Sequence, residues 1–296
     1  MTRPTTRLRE LLSGAAIIQA PGAVDALGAR LIEQAGFPAV YLTGAGFSYT
    51  QLARPDVGLA SATEMVAHVG RIAQTVSVPV FADMDTGYGN FLNVMRTVRD
   101  YERAGVAGFH IEDQSFPKRC GHLAGKELVS IDEMVGKLKA ALDARTDPEL
   151  VVIARTDARM VEGFERALER AHRYAEAGAD VIFLESPGDD AELRRAAAEI
   201  PKPTLANMVE GGRTPLHSAA ELEGMGYRIV IWANALTRFL ARQAAEFLAG
   251  LREHGSTDPY RDRMFNFAQF NALLGLDEVR ELEARYSRVR EPIAAD

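Results

Sequence analysis

Cysteine is almost absent from the 296-residue sequence: Cys120 stands alone. No disulfide can therefore form within the chain, and a reducing compartment suits it. Tryptophan is equally scarce, and Trp232 is read as packing at the end of a strand. No stretch approaches the roughly 20 apolar residues of a membrane helix. The N-terminal Met1-Thr2-Arg3-Pro4-Thr5-Thr6 leads into a charged segment without the apolar run of a signal peptide. A basic surplus is lacking too. The formal net charge of -7 argues against nucleic acid or an anionic membrane as partner, since both call for basic patches. A cytoplasmic protein is expected, with a small anionic substrate met by a few cations inside a pocket.

What is present is a rhythm. With 47% hydrophobic and 25% charged residues the composition is that of a globular chain. Short runs of Val, Ile, Ala and Leu recur, each followed by a polar turn and a longer segment of helical character. Candidate strands are 16–20, 39–42, 80–82, 108–111, 151–154, 181–184, 204–206 and 228–231. Ser61-Ala62-Thr63-Glu64 and Ser130-Ile131-Asp132-Glu133 read as capping boxes, and Gly105 and Gly178 as helix stops. Eight βα units over about 250 residues predict a TIM-type (β/α)8 barrel, with an open doubly wound sheet as the alternative. No internal linker or short repeat interrupts it. The reading is an α/β barrel over residues 1–255 and a helical C-terminal extension over 256–296, in which Phe265, Phe267 and Phe270 lie close together.

In such a barrel the chemistry collects at the C-terminal ends of the strands, and polar residues fall there repeatedly. Asp83 and Asp85 follow the third strand, Glu112 and Asp113 the fourth, and Arg155 and Asp157 the fifth; Glu185 follows the sixth and Asn207 the seventh. A single one would be a helix cap or a solvated loop carboxylate. Five successive strand ends need a shared reason, because desolvated charges must pair or bind metal. If the third strand persists, Asp83 and Asp85 share a face and form with Glu112 a set of hard oxygen ligands suited to Mg²⁺. Between the fourth strand and its helix lies a long polar connection, about residues 114–129, with the length of an active-site lid. It carries Lys118-Arg119-Cys120-Gly121-His122. These basic neighbours are expected to lower the thiol pKa and equip Cys120 for proton transfer, with nucleophilic attack as the chemical rival. His68, His172, His217 and His254 show no ligand spacing, while His110 shares the alternation of Glu112.

The segments Tyr41-Leu42-Thr43-Gly44, Asp83-Met84-Asp85-Thr86-Gly87-Tyr88-Gly89, Ile111-Glu112-Asp113-Gln114, Lys118-Arg119-Cys120-Gly121-His122, Ala154-Arg155-Thr156-Asp157-Ala158 and Leu205-Ala206-Asn207-Met208 resemble, in order, the isocitrate lyase and phosphoenolpyruvate mutase superfamily. Within it they look most like the 2-methylisocitrate lyases and the 2-alkylmalate (2,3-dimethylmalate) lyases. The resemblance implies a barrel whose eighth helix is exchanged between subunits, in a homotetramer made of two such dimers. It also implies Mg²⁺, with Mn²⁺ as a substitute, held directly or through water by Asp56, Asp83, Asp85 and Glu112. Tyr41, Thr43, Gly44 and Ala45 would line the keto-acid half of the site, with Asp85 and Gly121 beside it. Arg155 would meet the substrate and steady the oxyanion, and His122, Glu185 and Asn207 would complete the pocket. The implied activity is cleavage of a carbon–carbon bond in a 2-hydroxy di- or tricarboxylate. Cys120 would protonate the departing carbanion, and Lys118, Arg119 and His122 would tune the thiol or hold a neighbouring carboxylate.

Departures bear on the substrate. Leu123-Ala124-Gly125-Lys126 stands where methylisocitrate lyases typically read Arg-Pro-Asn-Lys, and Trp232-Ala233-Asn234-Ala235 lacks their Tyr-Pro pair. A substrate smaller than methylisocitrate is one consequence. Oxaloacetate hydrolysis and carboxyphosphonate or phosphonopyruvate mutase-type chemistry are the alternatives on the same scaffold, and a dicarboxylate-binding barrel without catalysis is the third.

Overall fold

In the computed structural model, which describes residues 2–287, strands and helices alternate from the first strand to the eighth. The strands are β1 (Ile18–Ala23), β2 (Val40–Leu42), β3 (Val80–Asp83), β4 (Gly108–Glu112), β5 (Val151–Thr156), β6 (Val181–Leu184), β7 (Leu205–Asn207) and β8 (Ile229–Trp232). All pair in parallel, in the order β6-β5-β4-β3-β2-β1-β8-β7. One parallel bridge between Ile182 and Thr204 joins β6 to β7 and brings the sheet round to a nearly closed barrel. That is the predicted fold rather than an open sheet. Each of the eight candidate strands is present. The first is displaced to 18–23, running on through Pro21 and Gly22. Gly22 passes so close to Ala233 that a Cβ there would lie 2.0 Å from its carbonyl oxygen.

The helices are α1 (Pro4–Ser13), α2 (Ala26–Gln34), α3 (Gly44–Gln51), α4 (Ala62–Ala73), α5 (Phe91–Ala104), α6 (Ile131–Ala144), α7 (Ala158–Glu162), α8 (Phe164–Glu176), α9 (Asp190–Glu199), α10 (Ala219–Met225), α11 (Ala235–His254), α12 (Phe267–Leu273) and α13 (Leu276–Ser287). Ser61 and Glu64 close a reciprocal capping box at α4. At α6 only half of the expected box forms: Ser130 accepts from the Glu133 N–H, and Glu133 instead reaches towards Lys137. Gly105, at φ 94°, ends α5 in the left-handed conformation that a side chain disfavours. None of the described helices is long and apolar enough to cross a membrane.

Alternation along the strands divides the apolar residues into two layers. Val80, Ala82, Val152 and Ala154 face outward and meet the helices, including Leu138 and Ala171. Phe81, Val151, Ile153, Val181, Phe183, Ile229 and Ile231 fill the inside, joined by Leu8 of α1. The chain falls into two compact units, residues 1–239 and residues from 240 onward. The second takes in most of α11 with α12 and α13; within it the rings of Phe265 and Phe270 lie 6.4 Å apart, tilted by 35°, and all three phenylalanines, Phe267 most of all, are exposed. Residues 288–296 of the expected extension lie outside the described residues.

Candidate active site

The same two-residue alternation that fills the barrel sets the site above it. Continuing the inward series beyond Phe81, Ile153, Phe183 and Leu205 gives Asp83, Arg155, Glu185 and Asn207, and on β4 it gives His110 and Glu112. Pairing registers place Asp83 opposite His110 and Glu112 opposite Arg155. Tyr41 lies deeper. Its hydroxyl is 2.8 Å from His110 Nε2, and burial pushes the imidazole down to about 4 despite Asp83, so His110 is neutral.

Asp83 and Asp85 meet by a different route from the one expected. The strand ends at Asp83, and Asp85, at φ 46°, turns left-handed; its N–H donates to Asp83 Oδ1 at 2.9 Å. The turn through Gly87 then leads to Asn90, which caps α5, so neither aspartate is a helix cap. Gly44, at the start of α3, gives its N–H to Asp83 Oδ2 at 3.2 Å. A Cβ at Gly44 would lie 2.7 Å from that oxygen. Thr43 caps α3 and reaches Asn234 Oδ1 at 3.2 Å, and Ala45 is buried in the first turn beside them.

Residues 114–129 close over this mouth. The loop is pinned at its base by the antiparallel bridge of Gln114 with Leu128, and Cys120 N–H donates to the Asp56 carbonyl at 3.1 Å. Lys118 is buried, its Nζ 2.7 Å from Asp56 Oδ1 and 2.6 Å from Asp85 Oδ1. Gly121 is pressed against Arg155 and Glu185. His122 Nε2 stands 3.4 Å from Glu185 Oε1, and Nδ1 stands 3.4 Å from the Arg213 N–H. Asn207 Nδ2 donates to Glu185 Oε2 at 3.3 Å. Arg119 is the one residue of the segment that turns away: it is exposed and lies against Gly125.

This arrangement reverses the expectation for the thiol. Burial pushes Cys120 up, Asp56 and Glu185 push the same way, and the His122 N–H and Arg155 oppose them. The basic neighbours fail to lower it because Lys118 is committed to carboxylates and Arg119 to solvent. A protonated thiol is a proton donor rather than a nucleophile.

Among the described residues no three Asp, Glu, His or Cys side chains stand together as a finished metal site. Lys118 bridges Asp56 and Asp85 instead, and Arg155 Nε lies 3.3 Å from Glu112 Oε2. The donor chemistry nonetheless fits a hard cation. Six buried carboxylates, Asp56, Asp83, Asp85, Glu112, Asp157 and Glu185, face three buried cations, Lys118, Lys126 and Arg155. Glu112 Oε1 accepts no hydrogen bond, and Asp85 Oδ1 has Lys118 Nζ, at 2.6 Å, as its partner. Burial, with Asp83 and Asp56, raises Asp85 to about 6 against the pull of Lys118. Burial likewise raises Glu112 well above the usual range. Crowded, desolvated carboxylates of this kind are relieved by a divalent ion.

Three residues take roles that the sequence did not assign. Asp157, expected only as one of the strand-end carboxylates, accepts from Arg155 Nε at 2.9 Å and from Lys126 Nζ at 2.8 Å; its spacing of two from Arg155 was the available signal. Ser186, left-handed at φ 58°, sets its Oγ 3.0 Å from Glu185 Oε1 and 3.4 Å from His122 Nδ1. Nothing local marks Ser186, and Lys126 stood out only as the lysine that its segment shares with the Arg-Pro-Asn-Lys of methylisocitrate lyases.

The phosphoenolpyruvate phosphomutase family model matches residues 8–252. The chain is 50% identical over 284 residues to 2,3-dimethylmalate lyase of Eubacterium barkeri, covering 96% of this chain and 98% of that one. A crystal structure of 2,3-dimethylmalate lyase, described as a PEP mutase/isocitrate lyase superfamily member, superposes with a TM-score of 0.90 at 39% identity, covering 100% of this chain and 99% of that one. Oxaloacetate acetylhydrolase bound to 3,3-difluorooxalacetate superposes with a TM-score of 0.91 at 37% identity, covering 96% and 97%.

Proposed function

The chain belongs to the PEP mutase/isocitrate lyase superfamily, and on that premise we propose that it is a Mg²⁺-dependent carbon–carbon lyase. Its substrate is a 2-hydroxy di- or tricarboxylate of the 2-alkylmalate or 2-methylisocitrate type, and its products are a 2-keto acid and a second carboxylate. The observation that carries the reading is the placement of Cys120 in the closed loop, its N–H bonded to the Asp56 carbonyl and the adjacent Gly121 packed against Arg155 and Glu185, where burial pushes the thiol up. The similarity to 2,3-dimethylmalate lyase supports the smaller substrate.

Asp85, with Asp56, Asp83 and Glu112 directly or through water, would hold Mg²⁺, or Mn²⁺ in its place. When bound there, the ion supplies Lewis acidity to the oxygens of the keto-acid half. The remaining work falls to side chains. Arg155, fixed by Asp157, orients a substrate carboxylate and meets negative charge as it develops. His122 and Asn207 add donors, and Thr43, Gly44 and Ala45 shape the keto-acid end with Tyr41 beneath. The substrate hydroxyl proton passes to the carboxylate cluster, and the bond from the hydroxyl-bearing carbon to its neighbour breaks. Its electron pair moves to the neighbour and into the adjoining carboxylate. Cys120 Sγ then delivers its proton to that carbon, while the closed loop keeps water away. Lys118 keeps the loop and the carboxylates together.

Magnesium-dependent release of pyruvate or glyoxylate from a panel of 2-alkylmalates, 2-methylisocitrate and isocitrate tests the reading, with 2-alkylmalates expected to be turned over. No keto acid from any member, with oxaloacetate consumed instead, would overturn it in favour of hydrolysis. Gly121→Ala gives a geometric check. Its Cβ would fall 2.5 Å from Arg155 Nη2 and 2.7 Å from Glu185 Cγ. Displacing these groups by up to an ångström should lower kcat/KM about 100-fold in a protein with unchanged circular dichroism; turnover within fivefold of the parent would contradict the placement.

The proposed assembly is a tetramer of two dimers that exchange α11. Of that helix only Gly250 is buried, and Phe239, Leu240 and Leu248 are exposed. Separately, Pro21, Leu31, Phe37, Trp232 and Leu236 line an open apolar groove on the first unit. A cytoplasmic location suits the free thiol.

A further inference from the structure

The loop that carries Cys120 contains a second buried lysine for which neither the chemistry nor the metal site has a use. Lys126 is 7% exposed. Its Nζ donates to Asp157 Oδ1 at 2.8 Å and to the Gly121 carbonyl, and it lies 3.5 Å from Met160 Sδ. An ammonium has three protons to place; the Gly121 carbonyl belongs to the loop itself, whereas Asp157 and Met160 lie outside it and are reached only while the loop is closed.

Asp157 is a rigid anchor. Its Oδ2 accepts from Arg155 Nε at 2.9 Å, and its Oδ1 accepts from Arg155 Nη2 at 3.1 Å as well as from Lys126. Its backbone N–H donates to Asp113 Oδ1 at 2.9 Å. Asp113 is itself held from β5 and α8: Oδ2 accepts from Thr156 Oγ1, Tyr174 Oη and Arg170 Nη1. Arg170 Nη1 also holds the Val129 carbonyl at the far end of the loop. One carboxylate thus fixes the arginine that meets substrate and the tip of the loop that bears the thiol. The other end of the latch is Gly121, adjacent to Cys120 and without room for a Cβ, so moving its carbonyl moves the thiol.

We propose that Lys126 is a positioning residue that latches residues 120–122 onto Asp157 and so keeps Cys120 in register with Arg155. Lys126 does not touch substrate. The proposal rests on the lyase reading for its effect on turnover, whereas its effect on the loop stands independently.

Because Cys120 is the only cysteine, its alkylation by iodoacetamide in the intact protein reports how often the loop opens. Lys126→Met removes the latch and leaves Asp157 paired with Arg155. Losing a charge-assisted buried bond should raise the alkylation rate roughly 10- to 100-fold. Removing a nearby positive charge would by itself slow alkylation, so a rise reports opening. On the proposed substrate kcat should fall by a similar factor while KM moves less than about threefold. A purely structural lysine would lower the melting temperature and leave alkylation of the folded protein unchanged. An alkylation rate within twofold of the parent overturns the latch, whatever the activity. If Lys126→Met does not fold, Lys126→Gln, which keeps a donor for the Gly121 carbonyl but loses the ion pair, is judged by the same limits. If the protein proves not to be a lyase, the alkylation result still decides the question of the latch.

Discussion

Cys120→Ala protein should bind the 2-keto-acid product as tightly as the parent and release keto acid about 10²- to 10⁴-fold more slowly, the range lost with a general acid. The basis is the environment of the thiol. Burial and the nearby Asp56 and Glu185 keep the proton on sulfur, which a donor to a carbanion requires and a nucleophile does not. Binding should survive because the groups that hold the substrate belong to other elements. Arg155 is fixed on β5 by Asp157, Asn207 sits on β7, and Thr43 caps α3. Cys120→Ser is the sharper variant. It preserves size and hydrogen bonding but offers a far weaker acid, so it should be nearly as slow as alanine. Calorimetry with the keto acid measures binding, and a coupled assay measures release. Near-parental turnover in either variant would remove Cys120 from the proton transfer.

The second large effect is expected from chelation. Treating the protein with excess EDTA should lower turnover by at least about 10²-fold, and Mg²⁺ or Mn²⁺ should restore it. The reason is a charge imbalance. Six buried carboxylates share three buried cations, Asp85 is raised to about 6, and Glu112 Oε1 has no hydrogen bond. A divalent ion bound by the folded state alone must also stabilise it, by about 2.7 kcal/mol at a concentration 100 times its dissociation constant. Melting with and without Mg²⁺ therefore gives a second readout that does not depend on knowing the substrate. Asp85→Asn should flatten that response and lower turnover together. Full activity after chelation, with no change in melting, would rule out the ion.

The contrast between neighbouring residues shows where sequence reading loses its grip. Glu112 and Arg155 were legible because their positions follow from alternation along a strand, which operates over a few residues. Lys118 and Arg119 are adjacent in one basic segment, yet one is buried between Asp56 and Asp85 and the other is exposed. No local periodicity governs an irregular loop, so only what it lands on separates the two. The expected fall in the Cys120 pKa failed for that reason. The pairing of Asp83 with Asp85 came about through a left-handed turn rather than a continued strand. Lys126 and Asp157 lie 31 residues apart on different βα units, and neither carries a mark of its partner.

Local pattern thus determined the eight strands, the inward series of polar residues at their ends, the helix starts at Ser61 and Ser130 and the single cysteine among basic neighbours. It did so because hydrophobic period, capping and turn chemistry act within a turn or two of chain. Only the closed barrel decided which charges are desolvated and which partners they find: a protonated Cys120, a Lys118 spent on carboxylates, and a loop tied through Lys126 to the residue that holds Arg155. Those outcomes depend on electrostatics between segments that meet only after the sheet has curved round on itself, and burial makes each such contact strong enough to set the chemistry.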